Sequence, residues 1–428
     1  MSRARRALVR LLVPALATAL AAVLAVSGSI APAQAAPTYQ KGEKGTQPFV
    51  FVGNNWAGTA DVLRPGSFRR VARINIVPDR TERMREIMFN PVRLGFFLGV
   101  RILIGEGNDQ FVDDMYTSND GRLLVVSRPS FADVVAISLR TKKIVWRFPV
   151  AGQRSDHMAV SPDGKHVAVS ASTGNVVHIL DIKTGKEVRR LPSGDSPHEN
   201  IYSRDGKRLF HASIGYVYTP LDHAGALLDS TKGERVFQIF DTRTGKPVEI
   251  IPVKQKLREA GLGHLSSAVR PMTLSPDERF IYFQVSFFHG FLEYDRKKQK
   301  ITRVKKLPNR VKHLPRELYL LDSAHHGIAL NPAGKRFCVA GTMSDYVAIV
   351  GRKKLRTLKT HVNAGGKPYW VTPSADGKFC YISWSGTDEV SKISYRTGEI
   401  VKTTKVGNHP QRVRNGFIRK NLVAGLRG

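Results

Sequence analysis

The apolar positions of this chain fall into short runs with a period of two, each closed by a turn. From His157 to Leu191 (HMAVSPDGKHVAVSASTGNVVHILDIKTGKEVRRL) the alternating sets are Met158 and Val160, Val167 and Val169, then Val176, His178 and Leu180, then Val188 and Leu191. A period of two marks strands with one packed face. Ser161-Pro162-Asp163-Gly164 fixes φ at Pro, caps backbone N–H groups at Asp and allows positive φ at Gly; Asp181-Ile182-Lys183-Thr184-Gly185-Lys186 repeats the device. The stretch predicts a four-stranded antiparallel sheet. Alone it exposes two faces and two edges, so it requires neighbours.

The chain supplies them. Related first turns begin at Ser118, Ser161, Ser203, Ser275, Asn331 and Ser374, mostly at the roughly 40–45 residue spacing of propeller blades. The second turn recurs as Thr184-Gly185-Lys186, Thr244-Gly245-Lys246 and Thr397-Gly398-Glu399. A seventh unit is split between the chain ends. Phe49 to Val77 reads as its second to fourth strands, and Gly407 to Val413 as its first, because it parallels Gly194 to Asn200. The expectation is an all-β, seven-bladed β-propeller over 49–428, closed by pairing the C-terminal strand with the N-terminal blade, with 36–48 an N-terminal extension.

The S-P-D-G-K turn at Ser161, the D-x-x-T-G-K turn at Asp181 and the G-x-x-P lead-in at Gly194 resemble the YVTN-type (YncE-like) propeller repeats of secreted and surface proteins. The resemblance covers nearly all of the chain after residue 35. It implies the fold and leaves function open, because related propellers include lactonases, haem or copper enzymes and binding scaffolds.

Four insertions interrupt the repeats: Pro78 to Gln110, Ile214 to Arg235, Lys254 to Ala268 and Lys306 to Ala324. Strand direction places all four on the face opposite the tight turns, which makes that face the expected site of binding. In the first, Arg80 to Met88 predicts a short helix and Leu94 to Ile104 an apolar hairpin or helix. This segment is expected to form a lid, or to touch a membrane or partner around Phe96, Phe97 and Leu98.

Charge narrows the partners. The chain carries 67 Lys and Arg against 35 Asp and Glu, a formal net charge of +32. That excess favours an anionic envelope polymer or a small anionic ligand, and no zinc-finger spacing or aromatic-basic stripe points to sequence-specific nucleic acid. Arg3, Arg5, Arg6 and Arg10, the apolar run Leu11 to Val26 and Ala33-Gln34-Ala35 predict an export signal over 1–35. The expected product is a secreted or cell-surface monomer with no later membrane span. Cys338 and Cys380 lie in the second strands of adjacent blades, where export permits a disulfide; two buried thiols is the alternative.

The candidate chemistry sits at the start of each innermost strand. One column reads Asp113, Asp156, His198, Arg270, His326, Tyr369 and Gln411; the next reads Asp114, His157, Glu199, Pro271, Gly327, Trp370 and Arg412. Convergent acids, imidazoles and guanidinium groups in a concave scaffold suit a ligand. Asp113, Asp156, His198 and His326 come nearest to a divalent-metal ligand set, and Arg270 and Arg412 to a carboxylate or phosphate clamp. Trp56, Phe288 and Trp384 on neighbouring loops could stack on a ligand. There is no C-x-x-C-H for covalent haem, no H-E-x-x-H, no G-x-S-x-G and no phosphate-cradling loop. The leading reading is a binding protein; the rivals are a metal-dependent or lactonase-like enzyme on the same ring, and a protein-interaction scaffold. An enzyme requires Asp113, Asp156 and His326 to converge on one point.

Overall fold

The structure, a computed structural model, describes residues 40–216, 231–319 and 323–426. Seven four-stranded antiparallel sheets follow one another around an axis. Blade one takes its innermost strand, Pro410–Arg419, from the end of the chain and continues through Thr46–Asn54, Thr59–Leu63 and Arg70–Asn75. The closing pair runs from Thr46 opposite Arg419 to Asn54 opposite Pro410, so the ring has no open seam. Blades two to seven span 115–149, 155–192, 197–251, 269–306, 327–362 and 368–405. The first paired residue is Thr46, and Gln40 is already buried, donating from Nε2 to the Thr117 carbonyl at 2.8 Å.

The tight turns are built by side chains. Ser161 Oγ donates to Asp163 Oδ1 and accepts from the His166 N–H, while Asp163 accepts from the Lys165 N–H. Gly164 closes the turn at φ 68°, a conformation that suits glycine. Ser118, Ser203 and Ser374 repeat the serine pattern. Blade five has Glu278 where blades two, three, four, six and seven have glycine. Glu278 takes φ 54°, and its carboxylate accepts the Arg204 N–H of blade four at 2.7 Å, a contact that offsets the backbone cost.

The core lies between sheets rather than within them. Val125 and Ala136 of blade two, for example, pack on Met158, Val167, Val169 and Leu180 of blade three. Inner strands are buried on both faces, whereas outermost strands such as Glu187–Pro192 alternate toward solvent. Cys338 and Cys380 are joined, with Cα atoms 6.4 Å apart, and tie blade six to blade seven; among the described residues no cysteine is free.

The first insertion forms two helices, Arg80–Met88 and Pro91–Leu103. Asn90 caps the second by accepting the Arg93 N–H, and Pro91 occupies its first turn, which selects helix over hairpin. Another insertion contributes the helix Val253–Glu259. Most of the blade-four insertion, residues 217–230, and the expected export signal lie outside the described residues. Among the described residues no helix is long and apolar enough to cross a membrane.

Candidate functional site

A regular strand sends adjacent side chains to opposite faces, so Asp156 and His157, or His198 and Glu199, should not both meet the axis. The innermost strands avoid this with register shifts between Ser155 and Met158, Pro197 and Glu199, Val269 and Met272, and Pro368 and Val371. A bulge re-aims a side chain. All the column residues singled out for binding are buried: Asp113, Asp114, Asp156, His157, His198, Glu199, Arg270, His326, Tyr369, Trp370 and Arg412.

They divide into two sectors. In one, acids and guanidinium groups face each other. Arg414 clasps Asp114 with contacts of 2.8 and 2.7 Å, and Arg154 Nη1 donates to Asp156 at 2.6 Å. Arg412 reaches both Asp113 oxygens at a longer 3.4 Å and lies 3.8 Å over the Trp370 ring. Arg270 donates from Nε to Ser286 Oγ at 2.8 Å. In the other sector three imidazoles crowd together. His157 and His198 have ring centres 3.9 Å apart, His326 lies 5.6 Å from His198 and 5.8 Å from His157, and Tyr369 stacks on His326 at 4.2 Å. His157 Nδ1 shares a 2.7 Å hydrogen bond with Glu199 Oε2. Nδ1 of His198, Nδ1 of His326, Nε1 of Trp370 and Nη1 of Arg412 have no hydrogen-bond partner among the described residues.

The four residues expected to share a metal are split between two groups. Ligating atoms of His157, His198 and His326 lie within 4.8 Å of one another, and so do those of Asp113, Asp156 and His157. His157, placed in the second column, is the hinge between them. The two acids therefore converge with His157 and not with His326.

Burial dominates the protonation of this ring. It pushes His157, His198 and His326 well below the ordinary histidine range, and Arg412 and Arg270 nearby add to the effect. The same burial raises Glu199 to about 8 and Asp113 to about 7, against the opposing pull of Arg412.

On the insert-covered side the first insertion is tied to the ring, and a cavity of about 460 Å³ beneath the helix Pro91–Leu103 reaches Arg154, Ser172 and Ser196. Glu106, at the end of the first insertion, pairs with Lys367 at 2.8 Å. Asn55 Nδ2 donates to Gln110 and Gln411, and Trp56 stacks on His409 at 3.7 Å. Arg128, wholly buried, joins Asp79 of the insertion to Asp133 of blade two. Trp384 is buried with its Nε1 on Ser391, so Trp56 and Trp384 serve packing rather than an exposed stacking platform. A second opening lies on the other face. A cavity of about 210 Å³, with Pro162, Pro276 and Pro332 of the tight turns at its mouth, reaches Glu199, Trp370 and Arg414.

Sequence reasoning missed Arg154, Arg414, Glu106 and Lys367. Arg154 and Arg414 stand two positions from Asp156 and Arg412, a signal that alternation offered; the Glu106 to Lys367 contact spans 261 residues and leaves none. Three histidines stand apart from the ring: His211 has both nitrogens occupied, by Ser193 at 2.7 Å and Asn200 at 2.9 Å, and His264 and His313 are exposed.

No family model and no curated protein matches this chain. A solved structure titled Kuenenia stuttgartiensis Hydrazine Synthase is similar in fold, with a TM-score of 0.53 and 17% sequence identity, covering 70% of this chain and 88% of that one. At that identity the likeness shows the propeller fold alone.

Proposed function

We propose that the chain is an exported binding propeller that captures a small anionic ligand at the polar ring of its channel. The observation that carries this reading is Arg412: a fully buried guanidinium whose Nη1 has no hydrogen-bond partner among the described residues, with only long contacts to Asp113, lying over Trp370, which itself lines the cavity. Charge-assisted pairs usually close to about 2.7–2.9 Å, so the 3.4 Å contacts leave capacity for an incoming carboxylate or phosphate. The N-terminal stretch that reads as an export signal, the net charge of +32 and the resemblance of the turns to YVTN-type repeats support an exported protein that meets anions at the envelope. The insertions cover the opposite face, and the ligand enters from the tight-turn face.

Calorimetric titration of the mature protein with phosphate, citrate and galacturonate, in chelator, tests this. At least one probe is expected to bind at one site, and Arg412→Met to weaken it at least tenfold. No binding by any probe, or unchanged binding in Arg412→Met, would overturn the reading.

A second reading, an interaction platform, rests on the outward side of the lid. Phe89 is 89% exposed, and Met88, Val92, Ile102 and Leu103 are all more than 60% exposed, an unusual apolar patch. Phe97, expected among the contact residues, is instead buried. Serine at Phe89, Ile102 and Leu103 should remove a protein partner while leaving anion titration unchanged.

A further inference from the structure

We propose that His157, His198 and His326 form a trihistidine site for a divalent transition metal, Zn2+ or Cu2+, oriented by Glu199. The inference shares the ring with the anion-binding reading but needs none of its ligand chemistry.

Three observations carry it. The ligating atoms of the three imidazoles already lie within 4.8 Å of one another. Metal–nitrogen bonds of about 2.0–2.1 Å place three ligands roughly 3.3–3.6 Å apart, so the rings need to close by about 1.5 Å at most. Second, His198 and His326 are 3% and 2% exposed, and Nδ1 of each has no hydrogen-bond partner among the described residues. Buried imidazole nitrogens are normally satisfied, as both are in His211; a metal ion supplies the missing partner. Third, His157 is held by a carboxylate. With the metal on Nε2, Nδ1 carries the proton and donates it to Glu199, 2.7 Å away, an arrangement that fixes tautomer and ring orientation in metal sites.

The neighbouring acids are the competing ligands. Asp156 is engaged by Arg154 at 2.6 Å and by Ser172 at 2.9 Å, and Asp113 by Arg412. Binding at Asp113, Asp156 and His157 would have to break those pairs; binding at the histidines leaves them intact and gives up only the 3.6 Å approach of His157 Nε2 to Asp156 Oδ1. Three neutral nitrogen donors favour Zn2+ or Cu2+ over Ca2+ or Mg2+, which take oxygen ligands.

The test is titration of chelator-stripped mature protein with Zn2+ and Cu2+ separately, with no anionic ligand present. The wild type is expected to take up one equivalent. His198→Ala and His326→Ala should each weaken binding at least 100-fold, Glu199→Gln 10- to 100-fold, and Asp113→Asn and Asp156→Asn less than threefold. X-ray absorption of the loaded wild type should show three imidazole ligands, a readout that needs no variant to fold. Failure of both metals to bind at 100 µM overturns the site. So does undiminished binding in the two histidine variants, or loss of binding in the aspartate variants, which would move the metal to the acidic group. Because the anion titration is run in chelator and depends on Arg412, either reading can fail while the other stands.

Discussion

The two sectors of the channel ring use buried charge in opposite ways. Around Asp114 opposite charges face each other: Arg414 clasps the acid at 2.7 Å, and Arg412 stands 3.9 Å away with capacity to spare. Around His198 and His326, imidazole nitrogens equally removed from water lack partners. A protein that needed the ring only for shape could fill it with apolar side chains. The paired sector is the kind of network that resists loss of one member, and the histidine sector is the kind that accepts one more. The difference teaches that satisfied polar groups in this channel belong to the scaffold, whereas unsatisfied ones mark where something binds.

The largest expected effect breaks the paired sector. Asp114→Ala leaves Arg414 and Arg412 buried beside an uncompensated gap and should cost about 3–5 kcal/mol in urea unfolding. His198→Ala removes a side chain that completes no network, and is expected to cost about 1 kcal/mol, the ordinary scale of a point substitution. Equal costs would erase the distinction. Next is the brace beside the histidines. Cys338 and Cys380 are 42 residues apart and tie the blade carrying His326 to the blade carrying Tyr369. Replacing both with alanine should lower stability by about 2–4 kcal/mol, visible as a lower urea midpoint.

Acidity sharpens the contrast without mutation. Burial holds His211 and His409 at about 3 and His289 at about 4. The unfolded chain therefore binds their protons first, and the stability these groups contribute is present above about 6.5 and lost as pH falls below it. Glu199 and Asp113 work in the other direction. Their folded values, about 8 and about 7, lie above the reference 4.5 and 3.8, so stability present at low pH is lost as pH rises through 4 to 8. In metal-free protein the histidines, His325 included, outnumber the acids below pH 6.5. Urea midpoints should peak near that pH and fall on both sides, by about 1.4 kcal/mol per unbalanced group per pH unit. Glu199→Gln should flatten the alkaline limb.

The scaffold was more legible than the site, for a physical reason. A blade is written in local signals: Ser161, Asp163 and Gly164 make their turn with one another, and each repeat announces itself. Even the split blade could be read, because Gly407 to Val413 repeats the lead-in of Gly194 to Asn200. The two polar columns were legible as well. What stayed hidden was their partition. Strict alternation cannot say that a bulge between Ser155 and Met158 brings His157 onto the axis, and so the expected metal set held Asp113 and Asp156 in its place. Contacts between distant parts, such as Asp79 with Arg128 and Glu106 with Lys367, depend on how the first insertion folds back. No local pattern carries that information.

The smallest expected change in stability is at the Glu106 to Lys367 pair. Both side chains are partly exposed, 26% and 37%, and pairs of that kind contribute about 0–1 kcal/mol. Glu106→Gln should therefore leave the urea midpoint nearly unchanged. The same pair nevertheless bridges the first insertion to blade seven, where Glu106 lies beside His326 and Tyr369 in a space of about 10 Å³. If the paired side chains act as a latch over the histidine sector, loosening them changes rates and not equilibria. Chelator should strip Zn2+ from the loaded Glu106→Gln variant several-fold faster than from wild type, with the titrated affinity reduced less than the rate is raised. An unchanged stripping rate would mean that metal leaves by another route, past Glu199 and Trp370 on the tight-turn side or past Arg154 under the helix Pro91–Leu103, and that this pair does no more than cover the ring.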